Sequence, residues 1–94
     1  MIFIIAKTTL KAGQKQAYIE AAQNLVKNTR QEAGCIAYDA FEDIKDPRLM
    51  IIIEKWADQA SLDAHLQTEH YLKWKGQAGA FREGVELFEY KQVW

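Results

Sequence analysis

Residues 51–74, IIIEKWADQASLDAHLQTEHYLKW, join a buried strand to two short helices and so set the topology of the chain. The apolar opening of this stretch belongs to a strand that reads from Leu49 to Trp56. Asp58 is a good helix N-cap, and Thr68 is another. Two short helices are therefore predicted, one through about Leu66 and one from Glu69 to about Phe81. Between them they carry both histidines of the chain, with Tyr71 and Trp74 close behind.

On the N-terminal side, Ile2 to Thr9 reads as a strand whose nearly continuous apolar residues suggest burial on both faces. Gly13 ends it. Gln14 to about Glu32 reads as the longest helix, because Tyr18, Ala22, Leu25, Val26 and Thr29 recur at spacings of three and four. Gly34 is a plausible C-terminal cap. Cys35 to Glu42 is a strand with Ile36, Tyr38 and Ala40 on one side and Ala37, Asp39 and Phe41 on the other. Asp43 to Arg48 contains the only proline and reads as the turn of an antiparallel hairpin. On the C-terminal side, Gly84 restarts an extended segment, Val85 to Trp94. There Val85, Leu87 and Val93 alternate with Phe88, Tyr90 and Trp94.

The order strand, helix, strand, strand, helix pair, strand is the βαββαβ plan of a ferredoxin-like α+β sandwich, with helices over one face of a four-stranded antiparallel sheet. At 94 residues there is room for one domain, residues 1–94, and one core. Leu49 to Ile53 is apolar without alternation. The simplest reason is that one face meets the chain's own helices and the other meets a second copy, so a sheet-to-sheet homodimer closing a barrel-like assembly is expected.

The formal net charge of −1 gives no attraction to phosphate backbones or anionic membranes, so neither nucleic acid nor membrane is an expected partner. The apolar start, Met1 to Ala6, is cut short by Lys7 and Thr8. It is too short for a membrane span and lacks the features of a signal peptide, so a soluble cytoplasmic protein is expected. Cys35 is the only cysteine, which rules out an intrachain disulfide and fits a reducing compartment. At the start of an apolar strand it reads as a small core residue.

Candidate chemistry gathers around the helix pair. His65 is a candidate general base, or else a locally hydrogen-bonded packing residue. His70 lies in the first turn of its helix, where the macrodipole disfavours the cation. In one straight helix the two rings would stand about 140° apart, and neither HExxH nor a zinc-type Cys/His cluster is present, so no metal is expected. Glu54 and Trp56 share a strand face. The carboxylate follows an apolar run and needs a partner or an orienting role. Trp56, Tyr71 and Trp74 are core residues or walls of an apolar pocket. Gly76, Gly79 and Gly84 are too scattered for a phosphate loop, and Ser61 has no base beside it.

Glu54-Lys-Trp56, Asp58 and Leu62-Asp-Ala-His65-Leu-Gln-Thr68-Glu-His70-Tyr71 together resemble the antibiotic biosynthesis monooxygenase (ABM) family. Upstream, Arg30-Gln-Glu-Ala-Gly-Cys35-Ile-Ala-Tyr38 resembles that family's helix end, glycine and second strand. The resemblance implies a dimeric ferredoxin-like barrel and cofactor-independent oxygenation of quinols or related hydroxyaromatics. Small aromatic or hydrophobic substrates and molecular oxygen would be the partners. The family's haem-degrading branch uses asparagine, tryptophan and histidine where spacing puts Lys7, His65 and Lys75, so haem degradation does not fit. On this reading His65 is the base and Glu54 orients, while Trp56, Tyr71, Trp74 and His70 line the substrate site.

Two alternatives stay open. One is an isomerase or other proton-transfer enzyme on a small metabolite, phosphorylated or not, with an anion site drawn from Arg30, Arg48 or Arg82. A basic pocket mouth would favour it; an apolar mouth would favour quinols. The other is a non-catalytic dimeric module that binds a small hydrophobic ligand or a partner protein.

Overall fold

A computed structural model describes residues 1–94. Seven elements follow in order: β1 (Ile2–Leu10), α1 (Lys15–Thr29), β2 (Cys35–Glu42), β3 (Leu49–Trp56), α2 (Gln59–His65), α3 (Glu69–Ala78) and β4 (Arg82–Lys91). The strands form one antiparallel sheet in the order β2-β3-β1-β4, the ferredoxin-like α+β arrangement expected from the sequence.

The register sorts the sheet into two faces. Facing the helices, Tyr38, Glu54, Ile4 and Glu89 make one row across the four strands, and Ala40, Ile52, Ala6 and Leu87 the next. Along β3 burial alternates strictly, with Met50, Ile52, Glu54 and Trp56 buried, although the side-chain chemistry does not alternate. The opposite face carries Phe3, Ile5, Ile51 and Ile53, with Phe41, Phe88 and Tyr90 left 48%, 37% and 54% exposed. A single chain thus leaves bare the face for which the sequence predicts a partner.

Three local readings change. A register shift between Cys35 and Ala37 bulges β2, so Ile36 leaves the core face and is exposed while Tyr38 is buried. The longest helix stops at Thr29, and residues 30–34 form turns. β4 starts at Arg82 and ends at Lys91, leaving Val93 and Trp94 beyond the strand and fully open.

Both predicted caps are present. The Asp58 carboxylate accepts from Ser61 N–H at 2.8 Å. The Thr68 hydroxyl accepts from Tyr71 N–H at 3.3 Å and donates to the His65 carbonyl at 2.7 Å. Thr68 therefore ties the end of α2 to the start of α3 and fixes the bend between the two histidines.

Gly34 sits at φ +84°, and a Cβ there would also collide with the Ser61 side chain. It lets the turn before β2 press against the start of α2. Gly34→Ala is expected to cost about 1–3 kcal/mol from the backbone alone, with the collision adding to it. A lowered urea midpoint with an unchanged m-value would register this; an unchanged midpoint would contradict it.

The helices lean over β2 and β3. α1 packs on α3 and β2, and α2 packs on β3. β4 is the least covered strand, and its helix-side Leu87 is 63% exposed. The layer between helices and sheet is open along this edge.

Candidate active site

Behind that edge lies a cavity of about 200 Å³, room for a single-ring compound. Its sheet side includes Ile4, Ala6 and Ile52, and its helix side Tyr18, Tyr71 and Trp74. His65 and Glu54 also line it. Tyr18 and Trp74 meet edge to face at 5.3 Å between ring centroids, which braces α3 against α1. A larger and more open groove of about 610 Å³ runs between α1 and β2. It contains neither imidazole nor Glu54, so the candidate chemistry belongs to the smaller space.

His65 is only 1% exposed yet carries two ring nitrogens to satisfy. Its Nδ1 lies 2.6 Å from Glu32 Oε2. The Nε2 of His70 lies 2.8 Å from the same oxygen. An ionised carboxylate only accepts hydrogen bonds, so each of these nitrogens is the N–H donor. That fixes the tautomer of neutral His65, with its hydrogen on Nδ1 and its lone pair on Nε2. The hydrogen bond of the ring runs through Nδ1 alone. Burial pushes the imidazole pKa down, partly opposed by the hydrogen bond and charge of Glu32, while His70 lowers it further. The ring is therefore neutral near pH 7.

Trp56 stands behind this pair. It is fully buried and donates its indole N–H to Glu54 Oε1 at 2.9 Å. Its ring packs on His65 at 4.8 Å between centroids. Tyr38 and Tyr71 flank the imidazole at 5.9 and 5.1 Å. Burial raises the Tyr38 pKa, so it remains a neutral phenol.

Burial pushes Glu54 up to about 7, with the Glu32 charge adding and the Trp56 hydrogen bond opposing. Free glutamate titrates near 4.3. The folded state therefore holds this proton more tightly than the unfolded chain does, and stability must fall as pH rises through the interval between those values. The shift corresponds to roughly 4 kcal/mol, fully felt above about pH 7. Glu54→Gln keeps an acceptor for Trp56 and cannot ionise. Urea titrations from pH 5 to 8 are expected to show the variant gaining stability relative to the parent as pH rises. Both proteins keep their histidines, so subtracting the curves isolates Glu54; parallel curves would refute the shift.

Of the residues singled out from sequence, His65, Glu54, Tyr71 and Trp74 line the cavity, whereas Trp56 and His70 do not. Trp56 is a backing layer and His70 binds Glu32 on the outer side. Of the three arginines considered for an anion site, Arg30 bonds the Tyr38 carbonyl and Asp39, Arg48 pairs with Asp46, and only Arg82 reaches the cavity. Lys75 and Glu89 join it there.

Sequence reasoning missed Glu32, which lies 33 and 38 residues from its histidines. One signal was available. A carboxylate just past a helix C-terminus faces the negative end of the macrodipole, so its placement suggested a partner elsewhere.

A sequence model of the antibiotic biosynthesis monooxygenase family matches residues 1–77. YcnE of Bacillus subtilis, named as a candidate monooxygenase, is 32% identical over 76% of this chain and 75% of its own length. YgiN of Escherichia coli, provisionally named a quinol monooxygenase, is 31% identical over 74% of this chain and 77% of its own. The crystal structure of PA3566 from Pseudomonas aeruginosa matches with a TM-score of 0.91 at 32% identity, covering 99% of this chain and 94% of that one.

Proposed function

Because the chain belongs to the antibiotic biosynthesis monooxygenase family, we propose that its cavity oxygenates quinols or related hydroxyaromatics without an organic or metal cofactor. The supporting observation is a buried imidazole on the cavity wall, its pKa pushed down by burial. Glu32 holds its Nδ1–H, and the ring lines a mostly apolar space whose open edge carries Lys75, Arg82 and Glu89. His65 Nε2 takes the phenolic proton. The electron-rich phenolate then reacts with oxygen: one oxygen atom enters the ring, the other leaves as water, and the quinol supplies the electrons.

The energetics permit this. A phenol with an ordinary pKa near 10 loses its proton to a base below 6.5 at a cost of at least about 5 kcal/mol. A turnover of about 10 per second tolerates a total barrier near 16 kcal/mol. The remainder is available for the oxygen step, helped by orientation in a mostly apolar pocket. Tyr71 and Trp74 are the walls in this reading. Glu54 is a proton-holding neighbour that orients the substrate hydroxyl.

Oxygen uptake by metal-free protein given a panel of hydroquinones tests the proposal. Consumption above background that His65→Ala abolishes supports it; none across the panel would sink it. By the criterion of the pocket mouth, Arg82 and Lys75 at the open edge, offset by Glu89, favour a second reading, proton transfer on an anionic metabolite. It is favoured if phosphorylated or carboxylated compounds bind and no oxygen is consumed. In both readings the working unit is a soluble cytoplasmic homodimer joined through the bare sheet face.

A further inference from the structure

We propose that Glu32, His65 and His70 form a binding site for a divalent transition-metal ion, and that filling it removes His65 from service as a base. One oxygen and two imidazole nitrogens lie within 4.8 Å of one another. They come from three places, the turn after α1, the end of α2 and the first turn of α3, so no local sequence spacing announces them. Two nitrogens and one carboxylate oxygen suit zinc, cobalt or nickel and not magnesium or calcium, which favour all-oxygen sites.

The packing supplies one fixed ligand and two adjustable ones. His65 is clamped by Trp56 and by the hydrogen bond from Thr68 to its carbonyl. The Glu32 and His70 side chains are 13% and 17% exposed, giving an ion an entry path and room for a water ligand. At present protons occupy the gap, with the carboxylate oxygen 2.6 and 2.8 Å from the nitrogens. Metal–ligand bonds of about 2.0–2.2 Å would spread neighbouring donors to roughly 3.0–3.5 Å. Glu32 must therefore withdraw by about half an ångström, and it lies in a turn, outside any helix or strand.

The switching follows from imidazole chemistry. An ion on Nδ1 uses that nitrogen's lone pair and displaces its hydrogen, so the neutral ring carries its hydrogen on Nε2. That nitrogen then donates a hydrogen bond and no longer accepts a proton. The ion sits on the opposite side of the ring from the free nitrogen, so it blocks the base without entering the reaction. The site itself stands on geometry; its effect on turnover rests on the function proposed above.

Cobalt(II) titration of the metal-free protein, read by its visible absorption bands, tests the site directly. One ion per chain is expected, displaced by zinc and indifferent to magnesium. Glu32→Gln and His70→Asn should each weaken binding by about 100-fold or more, while Glu54→Gln leaves it unchanged. His65 and His70 are the only histidines, so nitrogen-15 spectra of the imidazoles report ligation in the unmodified protein without ambiguity. Absence of cobalt bands and of shifted imidazole signals, or binding that survives both substitutions in folded protein, would overturn the site. Hydroquinone-dependent oxygen uptake should fall in step with occupancy and return with a chelator; uptake unaffected at saturation would overturn the switch. Cobalt binding without any uptake by metal-free protein would uphold the site and count against the oxygenase reading.

Discussion

Glu32→Gln is expected to lower kcat/KM for oxygen-dependent turnover by about 10²- to 10⁴-fold, almost entirely through kcat, although Glu32 does not line the cavity. The carboxylate has only acceptors, so it forces hydrogen onto His65 Nδ1 and leaves Nε2 basic. A glutamine amide both donates and accepts. It satisfies two imidazoles in more than one way, and some of those arrangements put the His65 hydrogen on Nε2. It also lacks the negative charge that steadies the imidazolium once the proton arrives. Because Glu32 acts through His65, combining Glu32→Gln with His65→Ala should cost little more than the worse single change. Steady-state kinetics on the four proteins check this. A rise in KM with unchanged kcat, or fully additive losses, would mean that the two residues do not work as a unit. His65→Gln, which keeps bulk and polarity but has no titratable nitrogen, separates loss of the base from loss of packing.

The element order was legible because it is written locally. Asp58 and Thr68 announce helix starts through side-chain oxygens that reach their own backbone, and both do so in the structure. The apolar stripe of α1 buries Tyr18, Ala22 and Leu25 as its spacing predicts. His65 and Glu54 stood out because titratable groups inside apolar stretches need an explanation, and both prove buried. What was illegible depends on contacts between distant segments. The bulge that turns Ile36 outward is a property of how β2 pairs with β3, which β2's own alternation cannot reveal. Glu32 meets its histidines only after three segments have packed. Trp56 read as core or as a pocket wall, because strand alternation gives its side of the sheet but not its depth; the α2 ring that covers it is His65 itself.

Ile53→Lys is expected to convert a dimer into a monomer without unfolding the chain. Ile53 lies between Asp39 and Ile5 in the row that continues to Phe88, on the sheet face away from the helices. Phe3, Ile51, Phe41 and Tyr90 flank that row, so the face is rich in large apolar side chains, with Lys7, Asp39, Lys55 and Glu86 among them. In a two-fold dimer each substitution appears twice at a self-complementary surface. A lysine near the centre of a desolvated patch forfeits at least about 2 kcal/mol per copy, or roughly 4 kcal/mol per dimer. That weakens association by about 10³-fold. The folded monomer should suffer little, because Ile53 is only half-buried in the single chain and lysine can reach water there. Removing Phe88 to Trp94 is a blunter test, since it also strips the pairs from Ile5 with Phe88 to Ile2 with Lys91 off β1. Sedimentation velocity over a concentration series, with circular dichroism on the same samples, decides the matter. A parent protein that stays monomeric at tens of micromolar would refute the sheet-to-sheet dimer, and an Ile53→Lys variant that still pairs tightly would move the interface to another face.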